Sequence, residues 1–147
     1  MDKKEAKLKI LEAKAKKGLT WSEIARALQR SEVWTTAALL GQHPLSPSEA
    51  ETVTALLELE PEVAVSLTKP PFRGEETIMP PRDSVIYRFY EIILVYGPAI
   101  KELIHEKFGD GIMSAIDFEM DIQRVEDPKG DRVVVTMNGK FLPYRKW

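Results

Sequence analysis

Arg88 and Glu91 stand three residues apart in the run SVIYRFYEIILVYG, residues 84–97. On a helix that spacing puts both on one face. Tyr87, Phe89, Tyr90, Ile92, Ile93, Leu94 and Val95 surround them. A helix apolar on nearly every side is expected to be buried. An arginine and a glutamate within it form either a structural ion pair or a site, because a buried charge is costly unless compensated. Downstream, FGDGIMSAIDF (residues 108–118) sets Ser114 three residues after Gly111. The backbone N–H groups of Gly109-Asp110-Gly111 can converge as an anion nest, and a serine hydroxyl beside them suits a small anion. The same turn also reads as a plain helix stop leading into a strand. Other chemistries are poorly supplied. The chain has no cysteine, which excludes disulfides, thiolate nucleophiles and Cys-ligated metals. Its two histidines, His43 and His105, lie in no metal-binding spacing, so no metal is expected. His105 precedes Ser114 by nine residues and reads as an interface or core residue, not as a partner for a nucleophilic serine.

Two stretches of different grammar must position these groups. Residues 1–67 read as five short helices. Asp2 and Glu5 have capping-box spacing and open the first, which ends at Gly18 with Leu8, Leu11 and Ala15 as its apolar stripe. Thr20 and Glu23 repeat the box ahead of Trp21 to about Leu28, with Ile24, Ala25 and Leu28 facing inward. Ser31 caps a helix from Glu32 to Leu40, stopped by Gly41, with Val33, Ala37 and Leu40 as its expected core residues. Ser46 with Pro47 opens a fourth helix, and Pro61 a fifth. The spacing Thr20–Gln29–Leu40 is that of a helix-turn-helix, and the pattern resembles phage-repressor DNA-binding domains. Base readout needs Arg, Lys, Asn or Gln on the second helix. This one offers Glu32, Val33, Trp34, Thr35 and Thr36, which favours a packing or oligomer-contact unit over a DNA reader.

Residues 68–83, TKPPFRGEETIMPPRD, hold four prolines and one glycine and read as a linker. A connection this long usually wraps a surface or is functional. Asp83 or Ser84 caps a helix to Tyr96. Gly97-Pro98 is expected to break it, and a second helix ends at Phe108 before Gly109. Past Gly111 the period is two: Phe118, Met120 and Ile122 point one way, Glu119, Asp121 and Gln123 the other. Asp127 to Gly130 is a turn, Arg132 to Met137 a β-branched strand, Asn138-Gly139 a hairpin signal and Lys140 to Leu142 a returning strand. Three short strands over 117–142 cannot cover their own faces and edges, so pairing with a second copy is expected. The expected organisation is an α+β chain: a helical domain over 1–67, a linker over 68–83, and a domain of helices and a small antiparallel sheet over 84–147.

The 147 residues are 44% hydrophobic and 30% charged, ordinary for a globular protein able to bury a core. Net charge is -2, which implies no nucleic-acid partner by itself. Residues 1–45 carry nine Lys or Arg against five Asp or Glu, and most of that excess lies on the first helix, where it reads as a solvated face. No stretch is apolar for the ~18 residues a membrane span needs. A soluble cytoplasmic protein is the expectation.

YRFYEIILVYGPAIKELIHEKFGDGIMSAIDF, residues 87–118, resembles the signature of the cyanases, or cyanate hydratases. The resemblance continues through Asp127-Pro128, Arg132-Val133 and Asn138 to Pro143. It also takes in LTWSEIA (19–25), TAALLGQ (36–42) and Pro71-Phe72-Arg73-Gly74. It departs at Pro81-Arg82-Asp83-Ser84, where the family usually has Pro-Thr-Asp-Pro, a change that leaves the helix cap intact. The resemblance implies reaction of cyanate with bicarbonate, giving CO2 and carbamate, which falls apart to ammonia and a second CO2. It implies a catalytic trio of Arg88, Glu91 and Ser114, with no cofactor besides the co-substrate bicarbonate. It implies a repressor-like domain that binds no DNA, an intertwined dimeric sheet, and five dimers assembled into a homodecamer with sites between dimers.

The residues suit that chemistry. Two anions at 4 Å repel by about 4 kcal/mol at an effective dielectric near 20. A permanently protonated Arg88 with a planar fork offsets this and matches bicarbonate. Glu91 can orient it, and Ser114 can hold an anion. The competing expectation is a DNA-binding regulator with a C-terminal oligomerisation domain, resting on the helix-turn-helix spacing and the lysine-rich start.

Overall fold

The computed structural model describes residues 1–145. Six helices precede two strands: α1 (Lys3–Lys17), α2 (Trp21–Leu28), α3 (Glu32–Leu39), α4 (Pro47–Leu57), α5 (Pro61–Thr68), α6 (Ser84–Phe108), β1 (Gly111–Val125) and β2 (Arg132–Pro143). Met1–Gly74 forms one compact unit together with the hairpin end Met120–Thr136. Glu75–Glu119 and the chain from Met137 onward form a second.

The short helices begin where side chains can satisfy their first amides. Asp2 with Glu5, Thr20 with Glu23 and Ser46 with Glu49 each form a reciprocal capping box, and Ser31 caps α3. They end in left-handed caps at Gly18, Gln29 and Glu58. Ala6, Ile10, Ile24, Leu28, Ala38, Leu39, Leu45, Val53, Leu57, Val63 and Leu67 form their common core. Two expected stripes are displaced. On α1 the buried residues are Ala6 and Ile10, while Leu8, Leu11 and Ala15 are exposed. Spacings of four and three fit Ala6, Ile10 and Ala13 equally well, and Ala13 packs against this core. On α3 the buried face is Thr35, Ala38 and Leu39, leaving Val33, Ala37 and Leu40 half-buried. The lysines of α1 are partly committed rather than simply solvated. Lys9 pairs with Glu60 at 2.9 Å, Lys17 with Glu58 at 2.7 Å, and Lys3 Nζ donates to the Ser66 carbonyl at 3.1 Å. These contacts tie α1 to the C-cap of α4 and to both ends of α5.

The second unit corrects two expectations. Gly97-Pro98 does not break the helix: α6 runs unbroken for 25 residues with Pro98 inside it. A proline there forfeits one backbone hydrogen bond, a loss of about 3 kcal/mol or more, which long flanking stretches can outweigh. Asp83 starts α6, its Oδ1 accepting from the Val85 and Ile86 amides at 2.9 and 3.0 Å. Asn138-Gly139 does not turn. The chain forms two long strands rather than three short ones, joined through the turn after Asp127, and Asn138 and Gly139 lie inside β2. Gly111 lies against Leu142 and Gly139 against Ser114, an antiparallel register. The β-branched run Arg132–Thr136 extends straight through the glycine because strand pairing satisfies its backbone.

Thr35 is fully buried, and its Oγ1 has no hydrogen-bond partner. A buried hydroxyl left unpaired costs about 1–3 kcal/mol. Thr35→Val keeps the branched shape and removes the orphan, so it should raise the free energy of unfolding by about that amount and the denaturation midpoint with it. A midpoint at or below the parent's would mean the hydroxyl is satisfied.

Candidate active site

Asp83 sets where α6 begins, and the helix then fixes the first two candidate groups. Arg88 Nη1 donates to Glu91 Oε2 at 3.1 Å, one turn further on. The guanidinium also lies over the Tyr87 ring, 5.5 Å from its centroid. The expectation of a buried pair is corrected: within the chain the two side chains are 63% and 49% exposed, and α6 has no buried residue at all. An exposed pair of this kind contributes only about 0–1 kcal/mol to stability. Stability therefore gives little reason to keep it. Glu91 occupies one of the guanidinium's five N–H donors and leaves most of the fork for an anion.

Ser114 lies on β1 and is 6% exposed. Its Oγ accepts from the Ile116 amide at 3.1 Å and the Asp117 amide at 2.9 Å. A serine oxygen has two acceptor sites and one donor hydrogen. Two backbone amides fill the acceptor side, so the hydroxyl is left to donate. It makes no hydrogen bond with Arg88 or Glu91, which bond to each other. The glycine nest is weaker than expected, since the Gly109 amide is spent on the His105 carbonyl in capping α6. The amides that converge come instead from residues after Ser114, on the serine oxygen itself. A serine followed two and three residues later by ordinary strand residues gives no signal of this in sequence.

The histidines make other contacts. His105 is half-buried on α6, with Nε2 3.9 Å from Asp110 Oδ1. His43 lies in the first unit, stacked parallel on Trp34 with centroids 5.7 Å apart. Partial burial, and then the nearby Arg73, lower its pKa from the ordinary histidine value. No group of three or more potential metal ligands occurs among the described residues, and none of their helices is long and apolar enough to cross a membrane.

Two family models cover the chain: "Cyanate hydratase, N-terminal" over residues 3–71 and "Cyanate lyase C-terminal domain" over residues 78–146. A cyanate hydratase of Pseudomonas putida is 50% identical over 147 residues, all of both chains. The chain belongs to the cyanate hydratase family. A cyanate hydratase of Thiobacillus denitrificans is 54% identical over 138 residues, 94% of each chain. The crystal structure of cyanase from T. urticae matches with a TM-score of 0.84 at 40% identity, over 94% of this chain and 96% of that one. This family accounts for the helical first unit without a regulator, so the DNA-binding reading is set aside. Packing alone can produce the helix spacing behind it, and Lys3, Lys9 and Lys17 of the lysine-rich start are engaged within the helical unit.

Arg88→Lys keeps the charge and loses the planar fork. Turnover should fall by about ten-fold to more than a hundred-fold, from a loss of ~1.5–3 kcal/mol for a hydrogen bond to a charged group, with unchanged helix content. Near-parental turnover by ammonia release would make Arg88 structural.

Proposed function

We propose that this chain is a cyanate hydratase that consumes cyanate and bicarbonate together. Similarity to cyanate hydratases along the whole chain carries this reading. A held, permanently charged arginine and a donor-only serine supply what two anionic substrates need. Arg88 binds bicarbonate through its fork and offsets the repulsion between the anions. Glu91 orients Arg88 through their shared hydrogen bond. Ser114 donates its hydroxyl to an anion, cyanate or the developing adduct. A bicarbonate oxygen attacks the cyanate carbon, and the carboxy-carbamate adduct takes up a proton and loses CO2. Carbamate leaves and breaks down to ammonia and a second CO2. Juxtaposition and fixed electrostatics carry the rate, with no cofactor besides the co-substrate bicarbonate.

Assembly belongs to the same proposal. Val85, Ile86, Phe89, Ile93, Leu94 and Val95 are all exposed on α6, more large apolar side chains than a solitary soluble chain usually leaves uncovered on one helix. We assign residues 84–147 to catalysis and dimerisation through an intertwined sheet, residues 1–67 to a helical domain and 68–83 to the linker. Five dimers form a decamer whose sites lie between dimers. The enzyme works in the cytoplasm, with neither nucleic acid nor membrane as a partner.

Labelled bicarbonate should deliver its carbon to one of the two CO2 molecules released. Ammonia release at full rate in CO2-free buffer would exclude bicarbonate as a substrate. Activity should also disappear as light scattering reports dissociation in mild denaturant. A folded monomer with full specific activity would overturn the shared site.

A further inference from the structure

Two glycines sit where the strands of the hairpin meet backbone to backbone. A Cβ on Gly139 would lie 2.5 Å from the Ser114 carbonyl oxygen, 2.5 Å from Met113 Cγ and 3.2 Å from Met113 Sδ. A Cβ on Gly111 would collide with the Leu142 carbonyl and the Phe141 ring. Neither glycine has a positive φ, so space and not backbone conformation keeps these positions bare. The two neighbours of Gly139 differ in kind. Met113 ends in a flexible thioether that can move away. The Ser114 carbonyl is main chain and cannot move without carrying its own side chain along.

The residue so constrained is the one whose hydroxyl is locked by the Ile116 and Asp117 amides. We infer that Gly139 is a positioning residue for Ser114: its missing side chain lets β2 close on the Ser114 carbonyl and sets the direction in which the Ser114 hydroxyl donates. This rests on the role given to Ser114 above. A side chain at 139 pushes Ser114 off its place, loosens both amide contacts to Oγ and misdirects the donor. Misplacement by ~1 Å is enough to lower turnover about 100-fold.

The test compares Gly139→Ala, Ser114→Ala and the two combined, each as the assembled full-length protein, with cyanate and bicarbonate. Gly139→Ala should lose about 100-fold in kcat. Hydrogen exchange at the Ile116 and Asp117 amides should speed up. In the Ser114→Ala background the added Gly139→Ala change should cost no further activity, because both act through one hydroxyl. Multiplying losses, or unchanged exchange at those amides, would mean that Gly139 acts through general packing and would overturn the inference. Gly139→Ala with Met113→Ala relieves the side-chain clash and leaves the carbonyl clash. It is the variant to use if Gly139→Ala alone does not fold, and it should still be slow. Parental kcat in either folded Gly139 variant, with Ser114→Ala inactive, overturns the inference alone. Full activity of Ser114→Ala overturns the role of Ser114 and this inference with it.

Discussion

The proposed site depends on one ionic contact, the 3.1 Å hydrogen bond from Arg88 to Glu91. A guanidinium on a flexible stem makes a poor template until a partner holds it. Three-residue helical spacing provides that partner at no cost in chain length, provided the helix is already formed at Arg88. Asp83 secures this by capping α6 five residues earlier. The contact adds little stability of its own, since both side chains face outward. In the proposed mechanism its value lies in geometry: it holds an otherwise mobile charge in one place, as a site for two mutually repelling anions requires.

The serine side of the site is organised by main chain instead. Ser114 owes its burial to β1, its hydrogen-bond polarity to two amides further along that strand, and its place in the sheet to a bare position on β2. A hydroxyl made donor-only by backbone is insensitive to pH over the range where side chains titrate. That suits the task proposed for it, to meet an anion rather than to exchange protons.

Much of this was legible in the sequence because capping chemistry is local. Asp2, Thr20, Ser31, Ser46 and Asp83 start their helices as their spacing implies. The Arg88–Glu91 contact follows from a helical period alone. What was not legible depended on tertiary competition. On α1 two apolar stripes of equal spacing exist, and only packing selects the one through Ile10. Pro98 reads as a breaker because the cost of a lost hydrogen bond is visible and the stabilisation from a long helix is not. Asn138-Gly139 reads as a turn because its dipeptide propensity is strong, yet the pairing of a continuous strand with β1 overrides it. The close approach that makes Gly139 necessary exists only once Ser114 is opposite.

The bare flanks of α6 carry one more consequence. A 25-residue helix with no fully buried residue in its own chain gains little from intramolecular packing, and its propensity alone is marginal. Its free energy must come from whatever covers it, and cover supplied by other molecules obeys mass action. In the proposed assembly, folding of this half is tied to concentration: dilution acts on it as a denaturant would, while the short helices that seal Ile10, Ile24 and Val53 inside keep a core of their own. Newly made chains would accordingly hold their finished helical half well before the half that carries Arg88 becomes stable.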